Sequence, residues 1–261
     1  MAFLNEDFAA RLEQAPVPSD VVNQLFDSAK EASEERTFLA IIDFEIIVHD
    51  GENYLTCEMI RHWMIQQFAV YFSRVLSSID ELDDPDNANV AMRLQMLAYS
   101  QFWECLGIQR LLRQLVGIVK GESYQARLFL DEHPSTYSVF KEIRELCDAS
   151  GLQLVKLLEA IYSNQIRNAF SHSEIWMLPD SVVFQNYDAS RENQVPSLRI
   201  ETWEKLFKVT SDFIVSLFKM RRELETELKL KMPYRVELPE FAGPFNLSKD
   251  DRGYWSAQKT K

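Results

Sequence analysis

Ile166-Arg167-Asn168-Ala169-Phe170-Ser171-His172 closes a long apolar-periodic segment that begins near Leu152. An α-helix turns about 100° per residue, so Leu154, Leu158 and Ile161 share one stripe with Gln165, Asn168 and His172. The spacing predicts one core helix whose buried stripe turns polar near its end. Arg167 lies about 140° around the axis from His172, so a single ideal helix does not aim both side chains at one point. A bend in the helix, a swing of the long arginine side chain or a second copy of the helix would bring them together. The spacing alone is a weak signal. With 16 Arg and 4 His, an arginine five residues before a histidine arises by chance in about a quarter of such chains. The plainer reading is a surface arginine followed by a helix-terminal histidine favoured by the helix dipole.

Upstream of this stretch the chain reads as helices. Phe3, Leu4, Phe8 and Leu12 fall at helical spacing in 2–14, and Pro16 and Pro18 end that element. Ser19 or Asp20 caps a second helix over 21–35. Residues 38–48 are rich in Ile and fit strand or helix. Phe38, Ile41, Ile42 and Glu45 follow the helical period without a hairpin partner, so a helix is expected. A long helix over 54–79 carries Cys57 and His62, which lack a second ligand pair at metal-binding spacing and read as core. Asp80-Glu81-Leu82-Asp83-Asp84-Pro85-Asp86-Asn87 is the clearest linker. One long helix is expected over 88–119, with Arg110 and Arg113 supplying charge among apolar positions. Ser135 is placed to cap a helix over 136–149, which Ser150-Gly151 stops.

Downstream, 175–178, 182–185 and 198–200 read as short strands, forming either a rim over a cleft or a surface hairpin. A last helix spans 202–231. Lys205, Lys208, Lys219, Arg221, Arg222, Lys229 and Lys231 make it the most basic stretch, diluted by Glu223, Glu225 and Glu227. Pro233, Pro239 and Pro244 forbid helix beyond it, and Phe241, Phe245, Tyr254 and Trp255 suit a tail strapped against the rest. The expected fold is all-α, an antiparallel helical bundle with a short β insert after the motif helix. Its expected parts are an acidic helical region 1–87, a bundle 88–231 and a Pro/aromatic tail 232–261.

Composition narrows the chemistry. The 261 residues are 46% hydrophobic and 26% charged, enough apolar content for a substantial core. The 7 glycines include no GxGxxG or phosphate-cradling loop. Cys57, Cys105 and Cys147 are odd in number and scattered, so neither a disulfide framework nor a CxxC site is implied and a cytoplasmic location is expected. Residues 1–15 carry Glu6, Asp7 and Glu13 without a long apolar run, so neither a signal peptide nor a membrane span is expected. The net charge of −12 is uneven: 1–88 hold 18 acidic and 5 basic residues, 89–261 hold 22 and 23. Phosphate neutralisation drives non-specific nucleic-acid binding, so any RNA contact is expected on the second part. The acidic part either limits access or simply aids solubility.

Arg167-Asn168-x-x-x-His172, late in a core helix and preceded by Ile166, resembles the motif of HEPN domains (higher eukaryotes and prokaryotes nucleotide-binding). The resemblance extends over about residues 90–228. It implies a small helical bundle that dimerises across the motif helix, with Arg167 and His172 of both copies lining a cleft that cleaves RNA without metal. Asn168 fits the position after the arginine, and Glu104 is the candidate for an acidic residue that the first core helix brings to the cleft; the alternative for Glu104 is an ordinary exposed helix residue. One subgroup, which has a partner nucleotidyltransferase, carries Tyr two residues after the histidine. Here that position is Glu174, so its tyrosine modification is not implied. Toxin or defence biology, and an antitoxin or regulatory protein as partner, are further implications of the resemblance.

The residue types suit that chemistry. RNA carries its own nucleophile, the 2′-OH. A histidine titrating near neutrality serves as base or acid, and an arginine matches phosphate geometry while keeping its charge. Asn168, one turn before His172, is placed to hydrogen-bond imidazole or phosphate. No cofactor and no metal is expected: the chain has no HExxH, no nucleophile elbow, and no triad from Ser171 and Ser173. Two other functions stay open, a bundle that binds RNA or a nucleotide without cleavage and a purely structural dimer.

Overall fold

The computed structural model describes residues 2–49, 85–126, 128–129, 134–191, 194–252 and 254–260. The chain begins with α1 (Ala2–Glu13), α2 (Pro18–Ala32) and α3 (Glu34–His49). It continues with α4 (Pro85–Glu104), α5 (Leu106–Val119), α6 (Thr136–Asp148), α7 (Leu154–Ile161) and α8 (Asn164–Ser171). Three short strands follow, β1 (Ile175–Met177), β2 (Ser181–Phe184) and β3 (Ser197–Arg199), and then the 31-residue α9 (Ile200–Leu230). The chain closes with β4 (Tyr234–Val236), β5 (Phe245–Lys249) and β6 (Trp255–Lys259). The helix expected over 54–79, with Cys57 and His62, lies outside the described residues.

The expectation of an all-α chain needs correcting. The protein is mostly helical but has two antiparallel sheets, β1-β2-β3 and β4-β5-β6. The first is the expected insert. The second occupies the tail, where helix was excluded and no strand was named. Pro233, Pro239 and Pro244 exclude helix, but all three lie outside the strands and leave the ladder donors intact.

Local chemistry explains the helix ends. Pro18 does not break a helix but opens α2, where its missing N–H costs nothing. Ser33 separates α2 from α3 and its Oγ accepts from Arg36 N at 3.3 Å, a cap that sequence reading overlooked. The single helix expected over 88–119 is interrupted at Cys105, whose N–H reaches back three residues to Phe102 O at 3.3 Å. Ser135 caps α6 as expected, accepting from Ser138 N at 3.1 Å. Gly151, at φ +67°, takes the left-handed position beyond that helix.

Two compact units divide the chain. One draws on Met1–Pro18, Leu55–Cys105 and Lys156–Ile214, the other on Ser19–Tyr54, Leu106–Val155 and Val215–Lys261. Each unit combines early, middle and late stretches of the chain. The first holds α4, α8, the β1-β2-β3 sheet and the first half of α9. Its core is aromatic: Tyr99, Phe102, Trp103 and Trp203 are buried, and Trp203 Nε1 donates to Gln95 Oε1 at 2.8 Å.

In the second unit α5 packs between α3 and α6. Arg110, which supplies charge among the apolar positions of this helix, is completely buried. Its Nη2 donates to Asp43 Oδ1 and Oδ2 at 2.7 and 2.6 Å and to Ala126 O at 3.0 Å, and its Nη1 donates to Leu128 O. A buried cation needs this degree of satisfaction, since an unpaired one is prohibitively costly. Arg113 is likewise buried, bonded to Glu142 and Glu122. Gly117 makes room for it: a Cβ there would sit 2.6 Å from Arg113 Nη1.

The second sheet is tied down in the same unit by Glu45 of α3. Its carboxylate accepts from Arg221 Nη1 at 2.7 Å, Lys249 Nζ at 3.1 Å and Trp255 Nε1 at 2.7 Å. Glu225 of α9 joins through Lys249 at 2.9 Å and Lys229 at 2.5 Å. Burial works against ionisation of Glu225, but its bonds to the Lys229 and Lys249 ammonium groups outweigh it and bring its pKa down to about 2. A depressed carboxylate stabilises the fold above its unfolded value of 4.5, and that contribution is lost as pH falls from 4.5 towards about 2. Melting temperature against pH is therefore expected to drop through this window in the wild type and to drop less steeply in Glu225→Gln; equal acid slopes would be the contrary result.

Candidate functional site

The motif helix is not continuous. α7 stops at Ile161, and α8 begins afresh at Asn164 with Ser163 as its N-cap, the Ser163 Oγ accepting from Ile166 N at 3.3 Å. The gap is bridged by a side chain from α4. The Tyr99 hydroxyl donates to Ile161 O at 2.9 Å and accepts from Ser163 N at 3.1 Å. Both backbone groups would otherwise be orphaned by the break. Tyr99 is itself buried, which raises its phenol far above the usual range and keeps the donating proton in place.

The restart brings α8 against α4. Arg167 Nη1 donates to Glu104 Oε1 at 2.9 Å, and Nη2 donates to Asn164 Oδ1 at 2.8 Å. The same Glu104 oxygen accepts from Ser171 Oγ at 3.0 Å. Ser100 Oγ reaches Arg167 O at 3.4 Å. The Arg167 side chain is only 14% exposed and that of Glu104 35%. Of five guanidinium N–H donors, two are used here, and Nε is buried without a partner among the described residues. Glu104 is thus bonded to Arg167 and Ser171, whereas on the sequence an ordinary exposed helix residue was the slightly favoured reading.

His172 is placed differently. It is the C-cap of α8, exposed, with its backbone N–H on Asn168 O at 2.9 Å. Its imidazole makes no hydrogen bond among the described residues, and neither does the Asn168 side chain. Within one chain, then, Arg167 and Glu104 are bonded together, while His172 and Asn168 stand apart from that pair.

Just beyond His172 the chain turns sharply. Glu174 N bonds to Ala169 O at 2.8 Å and Ser173 N to Phe170 O at 3.3 Å, a Schellman ending. Ser173 takes φ +58°, a left-handed conformation usually given to glycine. The turn leads directly into β1, and Gln185 N bonds back to Glu174 O at 2.9 Å.

Gln165 secures the insert. Its buried amide donates to Val195 O at 2.8 Å and accepts from Val195 N at 2.9 Å, imitating a strand pair. Phe170 meets Phe184, Tyr99 and Trp203 edge-on or tilted. Sequence reading put Gln165 on the buried stripe but did not find this role. It also missed Tyr99, Ser100, Asn164 and Ser171. The one available signal was Ser163-Asn164, two good capping residues in mid-segment.

The basic stretch of α9 is largely neutralised. Lys205 pairs with Glu13, Lys208 with Asp212, Lys219 with Glu223, Arg221 with Glu45, Lys229 with Glu225, and Lys231 with Glu34 and Glu227. Of the seven cations named from the sequence, Arg222 alone has no ion pair among the described residues. Among the described residues no group of three or more His, Cys, Asp or Glu is arranged to hold a metal ion, and no helix is long and apolar enough to cross a membrane.

No protein-family model, curated protein or solved structure matches this chain.

Tyr99→Phe is expected to remove both bridging hydrogen bonds and leave two buried backbone groups unpaired, at a cost of about 1–3 kcal/mol. Denaturant unfolding followed by circular dichroism measures this. A variant as stable as wild type would mean that the Ser163 cap alone sets the break.

Proposed function

We propose that this protein is a metal-independent endoribonuclease of HEPN type, in which Arg167 and His172 of two copies meet around an RNA phosphodiester. The observation that carries the reading is an anchored guanidinium on the eight-residue helix α8 together with an exposed, unbonded imidazole at its C-cap. Glu104 and Asn164 hold the guanidinium in position, and the terminal nitrogens keep further N–H donors for a phosphate. His172 is exposed at a helix end, and its imidazole makes no hydrogen bond among the described residues. The 140° offset on an ideal helix and the lack of an Arg167–His172 bond within one chain both favour completion of the site by a second copy.

In this reaction one imidazole takes the proton of the 2′-OH, whose oxygen attacks phosphorus. The bond from phosphorus to the 5′-oxygen breaks, and the second copy's imidazolium protonates that oxygen. Arg167 stabilises the charge that builds on the phosphorane. One product carries a 2′,3′-cyclic phosphate and the other a 5′-hydroxyl, and DNA, which lacks the nucleophile, resists. RNA is the partner class, and toxin or defence activity with a regulatory protein partner fits the same reading.

A second reading has its own support. The bond from Arg167 to Glu104 ties α8 to α4, as a purely structural arginine would. His172, which ties nothing, separates the two. In chelator, mixed RNA is expected to be cleaved by wild type and about 10²–10⁴-fold more slowly by His172→Ala, with unchanged melting temperature. Cleavage that persists in His172→Ala, or that needs a divalent ion, sinks the ribonuclease reading. Light scattering at tens of micromolar, a range that captures weak interfaces, is expected to give a dimer; a monomer there removes the shared site.

A further inference from the structure

The sheet that follows His172 has one face turned inward and one outward. Trp176 pairs in register with Val183, and Val183 pairs with Ser197, so these three share a face with Ser181 and Arg199. The opposite face carries Val182, Phe184 and Leu198, all buried. On the outward face Trp176 is 64% exposed. Arg199 is also exposed and makes no ion pair among the described residues, unlike most cations of the neighbouring helix. Asp180 borders this face, with one carboxylate oxygen accepting from Ser181 Oγ at 2.9 Å.

We infer that this face is a single-stranded RNA platform, with Trp176 stacking on a base and Arg199 holding a phosphate of the strand that enters the proposed site. The inference rests on the ribonuclease reading for the identity of the strand. An exposed indole offers a base a π-face, and a free guanidinium offers its phosphate a fork. Trp176 and Arg199 stand on the two edge strands, two strand spacings across and two residues along. Their Cα atoms are on the order of 12 Å apart, a span of about two nucleotides of extended strand. The floor between them is made of Ser181, Val183 and Ser197, low enough for a strand to lie across. Continuity with the site is short and rigid: His172, the left-handed Ser173 and Glu174 lead straight into β1, and the Gln165–Val195 pair fixes the insert to α8.

The test uses the full chain carrying His172→Ala, so that RNA stays intact, and a fluorescent single-stranded RNA of about a dozen nucleotides. Trp176→Ala is expected to weaken binding roughly tenfold, with much of the loss restored in Trp176→Phe. Arg199→Gln is expected to weaken binding and to lower the salt dependence by about one phosphate contact. With His172 intact, the same two variants raise KM and leave kcat within about twofold, the pattern of lost uniform binding. Unchanged affinity and KM in both variants overturn the platform and leave the ribonuclease reading standing. Loss of affinity accompanied by loss of self-association in light scattering also overturns it, by making the face a protein contact. RNA binding that depends on Trp176 and Arg199 without cleavage by the wild type upholds the platform and removes the ribonuclease reading. No binding of RNA by any form overturns both.

Discussion

The hydroxyl of Tyr99 is the constraint on which the candidate site depends. A helix that ended at Ile161 and restarted at Asn164 without help would leave a carbonyl and an N–H unpaired in an aromatic core, and buried orphans of that kind are costly. Tyr99 satisfies both at 2.9 and 3.1 Å. The restart then presents α8 to α4 at successive positions. Tyr99 holds the break, Ser100 reaches Arg167 O, and Glu104 takes the guanidinium and the Ser171 hydroxyl. One helix, α4, thereby governs where the motif begins and where its arginine points.

Charge is organised by the same logic of distant partners. On the sequence an acidic first part of 18 acidic and 5 basic residues precedes a neutral remainder, which suggests segregation. In the folded chain several of those early acids are counter-ions to later cations: Glu13 for Lys205, Asp43 for Arg110, Glu34 for Lys231, and Glu45 for Arg221 and Lys249. The exposed pairs contribute little stability individually. The buried ones matter because removing one partner strands the other. For function, this pairing removes most of the α9 cations from the pool available to a phosphate. Arg167 in the candidate site, Arg199 on the sheet and Arg222 on α9 are among the cations that keep N–H donors spare.

Helical periodicity, the Ser135 cap, the Ser150-Gly151 stop, the three strands after His172 and the exclusion of helix beyond Met232 were all legible in the sequence. Each depends on neighbours within a few residues, where propensity, capping and proline geometry act. What only the tertiary structure decided lies between residues far apart in the chain. The break at Tyr162-Ser163 rests on Tyr99, more than sixty residues earlier. Burial of Arg110 rests on Asp43, and the second sheet is anchored by Glu45, some two hundred residues before it. The position of Glu104 against Arg167 belongs to the same class. A local pattern encodes which conformation a segment prefers, but not which distant group will satisfy its orphaned donors and charges, because that choice is made by packing.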